Sequence, residues 1–398
     1  MPEVDPEGSV TSPLGFLAGA TYTGIKSYGD NKLDVGILAS SSLCSAAAVF
    51  TRNRLHSASI HVNRAHLADH RAQAVFVNSG IANSSTGERG IADARQISEW
   101  VGAQIGVAAA NVLVCSTGVI GPYLPMDKVQ VGVTGVGLSA LGGPDFSRAI
   151  LTTDTHPKAG SVRFGPYLLG GCAKGAGMIH PNMATMLAFL TTDAPVATAF
   201  LESELRRAVD GSFNLVSVDG DTSPSDTVIL MASGEAGGDI IDSASPAAPA
   251  FSAALDSLCT YLAKSIARDG EGATKLIEIT VRGAATYDDA RQLIHTVATS
   301  YLVKSAVYGA DPNWGRLVAC LGRSGVEFRE ADVSVSLSGQ VVFAHERPTE
   351  FDAAALSQQM RSDTVPIEFD LGAGDITLTG WGCDLTEEYV RINAEYTT

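Results

Sequence analysis

A chain of 398 residues, 45% hydrophobic and 18% charged, can fill one large or two ordinary cores, which excludes disorder as its main state. Its 27 Lys and Arg stand against 43 Asp and Glu, and the net charge of −16 is interrupted by no basic run, which excludes a face built to bind nucleic-acid phosphates. No stretch approaches the roughly 18 consecutive apolar residues of a membrane span, and the opening MPEVDPEGSVTS has neither the basic start nor the apolar core of a secretory leader; a soluble cytoplasmic protein is expected.

In chain order, Ala74 to Asn78 (AVFVN) predicts a short strand ending in the turn-rich stretch Ser79 to Gly87. Ile91, Ala94, Ile97, Val101 and Ile105 recur at helical spacing. Val112 to Cys115 reads as a strand running into a small polar loop, Ser116 to Gly121. Phe146 to Leu151 closes a helix, and a strand near Tyr167 leads into the glycine-rich Gly170 to Gly177. Ala184 to Leu190 is short and apolar enough for a buried strand, and Leu201, Leu205 and Ala208 form the inner face of a helix over Ala199 to Val209. Beyond them, Thr227 to Met231 and Lys275 to Val281 read as strands, and Phe251 to Ala267 and Asp288 to Tyr308 as long helices. Gly234 to Pro249 is the one linker-like stretch and reads as a surface excursion. Alternation within Val333 to Gly382 adds antiparallel strands, so the fold class is α+β, mixed α and β with substantial antiparallel sheet. The six cysteines, Cys44, Cys115, Cys172, Cys259, Cys320 and Cys383, form no CxxC pair and are expected as buried free thiols.

Several motifs fail on their surroundings. Gly135 to Ala140 matches G-x-G-x-x-A, but Gly142-Gly143-Pro144 leaves no room for the helix that would meet a pyrophosphate. Ala173 stands before Lys174, where a phosphate loop needs Gly. Asp219-Gly220-Asp221 starts like a calcium loop, yet Pro224 and Leu230 occupy the positions of its Gly and bidentate Glu. His66 and His70 lack both the Glu and the third ligand of a zinc helix and read as a solvated helix face; no metal site is expected.

The informative segment is KGAGMIHPNMATML, Lys174 to Leu187. A glycine-rich turn and a proline loop deliver Ala184 and Thr185 to the start of an apolar strand. Thr185 there is either β-branched filler or a hydroxyl that attacks the Ala184 carbonyl, shifts the chain from nitrogen to oxygen and leaves a new amino terminus after hydrolysis. That α-amine, with a reference pKa of about 7.7–8.0, can act as base for its own hydroxyl.

The segment KGAGMIHPNMATMLAFLTTDA resembles the self-cleavage region of the ornithine acetyltransferases, the bifunctional glutamate N-acetyltransferase family of arginine biosynthesis. The likeness spans the chain, through NSGIAN (Asn78 to Asn83), CSTGVIG (Cys115 to Gly121), TTD (Thr152 to Asp154), DGEG (Asp269 to Gly272), DPNWGR (Asp311 to Arg316) and RINAEYTT (Arg391 to Thr398). One departure is Asn83-Ser84-Ser85-Thr86-Gly87, where the family commonly has Asn-Ala-Cys-Thr-Gly; both replaced residues are small, and no change of chemistry is expected.

The resemblance implies a mixed α/β sandwich of the N-terminal-nucleophile type, cut between Ala184 and Thr185 into fragments 1–184 and 185–398 that stay together and assemble as an α2β2 heterotetramer. It assigns Thr185 as nucleophile for cutting and for acetyl transfer, and Thr117 and Gly118 as oxyanion hole at a strand-to-loop turn. Thr152, Lys174, Thr185, Glu271, Asn393 and Thr398 match substrate contacts, with Lys174 suited to the substrate carboxylate and Glu271 to an amine. The implied reaction moves acetyl from N-acetylornithine to glutamate without metal or organic cofactor; use of acetyl-CoA as a second donor substrate stays open. Three rivals stay open: a Thr-nucleophile amidase or aminopeptidase, a specialised secondary-metabolism copy, and a binding protein in which Thr185 is only core.

Overall fold

The computed structural model describes residues 1–26, 32–180 and 186–395. Among these the strands are, in chain order, β1 Phe16–Thr21, β2 Val35–Phe50, β3 Arg71–Ile81, β4 Val112–Val119, β5 Lys158–Phe164, β6 Tyr167–Lys174, β7 Leu187–Thr192, β8 Val216–Ser217, β9 Thr227–Ala232, β10 Leu276–Ala284, β11 Ser334–Leu337, β12 Gln340–Ala344, β13 Arg347–Pro348, β14 Thr364–Asp370 and β15 Ile376–Cys383. They form two mixed sheets. The first runs β4-β3-β2-β9-β7-β6-β5 with β1 also on β2; the second runs β13-β12-β11-β14-β10-β15-β8.

The first sheet is buried on both faces, which explains the unbroken apolar sequences of its centre. Alternation sends Leu187 and Phe189 of β7 into one core with Phe146, Val77 and Ile229, while Ala188 and Leu190 face the other with Leu205, Phe251 and Leu262. The helix Ala248–Arg268 supplies much of that second core and touches β5 and β6 on one side and β10 and β15 on the other, so it lies between the two sheets. The second sheet sets Ile277, Ile279 and Val281 against Leu293, Ile294 and Val297 of the helix Tyr287–Ala298. The result is the layered α+β arrangement the sequence predicts.

Several boundaries differ. The Ser79 stretch is not yet a turn: β3 continues to Ile81, and the small residues Ser116 to Gly118 are strand rather than loop, because β4 runs parallel to β3 with Ser79 opposite Thr117 and Gly80 opposite Gly118. Likewise Gly170 to Lys174 lie inside β6, held by antiparallel neighbours on both sides. The single helix expected over Asp288 to Tyr308 breaks at Thr299-Ser300, where the Ser300 hydroxyl accepts the Val303 N–H and starts a second helix, Tyr301–Tyr308. His66 and His70 share no helix face: His66 ends the helix Ala58–His66 with Nδ1 2.8 Å from the Val112 carbonyl, and His70 lies beyond a further turn at φ 56°. The helix expected to close at Leu151 ends at Ala149. Gly234 to Pro249 runs over the surface, apart from Ile241, which is buried and bridges to Val196, and Ala248 and Pro249, which open the next helix with Ala248 buried. All six cysteines are free and buried. No helix among the described residues is long and apolar enough to cross a membrane.

Candidate active site

The parallel ends of β3 and β4 approach so closely that a Cβ on Gly118 would lie 2.3 Å from the Gly80 carbonyl carbon, and Gly118 has φ +127°. Only glycine fits both the contact and the backbone conformation. Asn78 steadies the pair, donating from Nδ2 to the Ile81 carbonyl at 2.9 Å and accepting from the Ser116 hydroxyl at 2.7 Å. The Thr117 hydroxyl accepts from Lys174 Nζ at 3.3 Å. That contact ties the end of β4 to the end of β6.

Lys174 is buried, 3% exposed, at the point where β6 gives way to Gly175. Burial pulls its ammonium below the ordinary lysine range, and Lys158 adds to the effect, while Asp154, Asp226 and Glu271 oppose it. Beneath it a buried ion cluster fixes two loops at once. Lys158 Nζ lies 2.7 Å from Asp154 Oδ1 and 2.6 Å from Asp269 Oδ2. Asp154 also accepts the Gly175 N–H at 2.6 Å and the Thr152 N–H at 3.1 Å, so one carboxylate positions both Thr152 and the chain after Lys174. Burial would raise that carboxyl, but Lys158, Lys174 and the Gly175 N–H outweigh it and hold Asp154 well below the usual carboxylate range.

Lys174 lines a cavity together with the carboxylates Glu271, Asp219 and Asp221. Glu271 is 7% exposed and lies against Gly177, where a Cβ would come within 2.4 Å of its carboxyl carbon. The C-terminal helix Glu387–Glu395 delivers Asn393, whose Nδ2 donates to Glu271 Oε2 at 2.7 Å. Tyr389 of the same helix lines the cavity, and burial together with Asp219, Glu271 and Asp221 pushes its phenol above the ordinary range. Asp219 accepts the N–H groups of Met178 at 2.6 Å and Ile179 at 2.9 Å. Its carboxyl is pushed up to about 6, chiefly by burial, with the neighbouring Asp221 charge adding and the three N–H donors opposing.

Six residues singled out in the sequence, Thr117, Gly118, Thr152, Lys174, Glu271 and Asn393, line one cavity of about 120 Å3. Ala184, Thr185 and Thr398 lie outside the described residues. The sequence reading passed over Asp219, rejecting it as a calcium ligand, and passed over Tyr389 and the Asp154–Lys158–Asp269 cluster. His180 is half-buried elsewhere, against His295 and 3.2 Å from the Ser217 hydroxyl. Ser84, one of the two departures from the family pattern, is buried 3.2 Å from the Ser225 hydroxyl. A larger cleft of about 360 Å3 between β2 and the helix Thr198–Asp210 holds none of the predicted residues, so size alone does not mark the site.

The chain is similar to known proteins along its whole length. The ArgJ family model matches residues 17–398. An arginine biosynthesis bifunctional protein ArgJ from Dehalococcoides mccartyi is 45% identical over 400 residues, covering 100% of this chain and 99% of that one. Its counterpart from Symbiobacterium thermophilum is 46% identical over 98% of this chain and 99% of its own. The crystal structure of the arginine biosynthesis bifunctional protein argJ from Bacillus halodurans aligns at 42% identity and a TM-score of 0.51, covering 52% of this chain and 98% of that chain. With its family model matched almost from end to end, and with relatives of equal length at this identity, the chain belongs to the ArgJ family of arginine biosynthesis proteins.

Proposed function

We propose that the protein is a self-processed glutamate N-acetyltransferase that moves acetyl from N2-acetyl-L-ornithine to L-glutamate through an acetylated Thr185. The observation that carries the reading is the cavity itself, which a buried ammonium and the buried carboxylate of Glu271 line together with Thr117 and Gly118. An amino acid presents a carboxylate and amines at opposite ends, and Lys174 and Glu271 match those charges. Asn393 holds the Glu271 carboxylate in place. Thr117 and Gly118 supply the hydroxyl and backbone N–H that stabilise the tetrahedral oxyanion. The free α-amine of Thr185 takes the hydroxyl proton as Oγ attacks the acetyl carbonyl, and it returns the proton to departing ornithine. Glutamate then repeats the step in reverse. Thr152 and Thr398 complete the substrate contacts.

Division of the chain into two fragments fits the Bacillus halodurans structure, whose chain is matched almost completely yet spans only about half of this one. Relatives named for arginine biosynthesis along the whole length favour transfer over the hydrolase reading. Charging of the same hydroxyl by acetyl-CoA would add N-acetylglutamate synthesis, with no resident cofactor; product from acetyl-CoA and glutamate alone checks it. Free thiols fit a reducing cytoplasm. An α2β2 assembly is part of the reading and is checked by native mass.

The test is an intact-mass spectrum before and after brief exposure to N-acetylornithine. Two fragments, the second beginning at Thr185 and gaining one acetyl group that glutamate removes, are expected. A single uncut chain that takes up no acetyl would sink the mechanism, and cutting without glutamate-dependent turnover would favour the hydrolase.

A further inference from the structure

The parallel pairing of β7 with β9 sets Leu187 opposite Thr227, and so brings the residues before them, Met186 and Asp226, side by side. Asp226 Oδ1 accepts the Met186 N–H at 2.9 Å. Three covalent bonds along the chain separate that nitrogen from the nitrogen of Thr185. The other oxygen, Oδ2, is fully buried and has no hydrogen-bond partner among the described residues. Anchoring one N–H needs only one oxygen, and a buried orphan on the other is a liability that native structures seldom keep without a use.

The upstream side of the same segment is also held by a carboxylate. Asp219 accepts the N–H groups of Met178 and Ile179, with Met178 forced to φ 55°. Backbone bonds from Val218 to Ile179 and from Thr227 to Met186 pin the same two points. One stretch, residues 218–227, therefore grips the chain on both sides of the cut and presents Asp226 at the downstream grip.

We propose that Asp226 is the acid of self-cleavage, donating its Oδ2 proton to the Thr185 nitrogen as the Ala184–Thr185 bond breaks. This rests on the processing reading above. Burial favours the protonated carboxyl, raising it well above the ordinary range against the opposing Met186 N–H and the Lys174 charge. Thr185 Oγ bonds to the Ala184 carbonyl carbon, the Asp226 proton passes to the Thr185 nitrogen as the C–N bond opens, and the hydroxyl proton restores the carboxyl. The product is an ester between Ala184 and Thr185 Oγ with a free amine. One water then adds across the ester, giving the Ala184 carboxyl and the Thr185 hydroxyl, with nothing oxidised or reduced.

The experiment follows cutting of full-length chains by intact mass in the wild type, Asp226→Asn and Asp226→Ala, with circular dichroism to confirm folding. Asn keeps an oxygen for the Met186 N–H but supplies no acidic proton, so a folded, uncut chain slowed at least about a hundredfold is expected. Formate added to Asp226→Ala should restore part of the cutting by filling the space with a small acid. Cutting of Asp226→Asn within tenfold of wild type, or a folded Asp226→Ala indifferent to formate, would overturn the assignment. An uncut wild-type chain would instead overturn the processing reading on which it rests.

Discussion

At the scale of single residues, the candidate site holds one buried ammonium, Lys174, that hydrogen-bonds to no carboxylate among the described residues. Lys174 meets the Thr117 hydroxyl at 3.3 Å, while Asp154, the carboxylate whose charge favours its ammonium most, is already taken by Lys158 and two N–H groups. In the proposed reaction a substrate carboxylate supplies an acceptor, and a charge-assisted bond of this kind is worth about 1.5–3 kcal/mol. Lys174→Met should therefore lower kcat/KM for N-acetylornithine by roughly ten- to a hundredfold, mostly through KM, in steady-state assays of cut protein. Lys158 poses a different problem, because its removal strands Asp154 and Asp269 in the interior. Lys158→Met should destabilise the chain by about 3–5 kcal/mol, read from urea melts of an uncut Thr185→Ala background. The sign with pH follows from Asp154, whose carboxyl is held down in the folded state. Its contribution is present above the unfolded carboxylate range and fades as pH falls through and below it, so the Lys158→Met penalty shrinks in acid.

At the scale of elements, what was legible in the chain was the apolar period, and what was hidden was the neighbour. Ile97 and Val101 mark the helix Gly87–Ile105, and Leu201 and Leu205 the helix Thr198–Asp210, because burial on one face writes the period directly. Ser79-Gly80 and Gly170-Gly171 look like turns, yet the first pair lies opposite Thr117 and Gly118, far off in sequence, and the second sits inside a strand with neighbours on both sides. Thr117, Gly118, Thr152, Lys174, Glu271 and Asn393 share one cavity, whereas spacing points Asp154 and Asp226 to no role and Asp219 only to a calcium loop that its neighbours rule out. Their roles come from burial and from N–H groups 21, 41 and 40 positions away. The segment held by Asp219 gives a pH test. A carboxyl raised to about 6 in the folded state binds its proton before the unfolded one does as pH falls, so this group destabilises the fold above about 6 and ceases to do so in acid. Asp219→Asn removes that dependence. In the uncut background, its stability relative to the parent should be more favourable at pH 8 than at pH 4.

At the scale of the whole molecule, the first sheet draws β1 to β6 from before the proposed cut and β7 and β9 from after it. β6 pairs with β7 over six residues, and β2 with β9 over six more. The two fragments should elute as one species on gel filtration while separating on a denaturing gel. With six buried thiols, native protein should react slowly with a thiol reagent, and denatured protein should release all six.

With the proposed cut, the shared sheet would also make folding an event the molecule can perform alone only once. Before the cut, β6 and β7 find each other along a single tether; afterwards the same pairing is a meeting of two molecules, and melting would be followed by dilution of each half into solvent. The mature protein's persistence would then be set by how slowly it opens, and its recovery from heat would worsen as concentration is lowered, whereas an uncut Thr185→Ala chain would return independently of concentration.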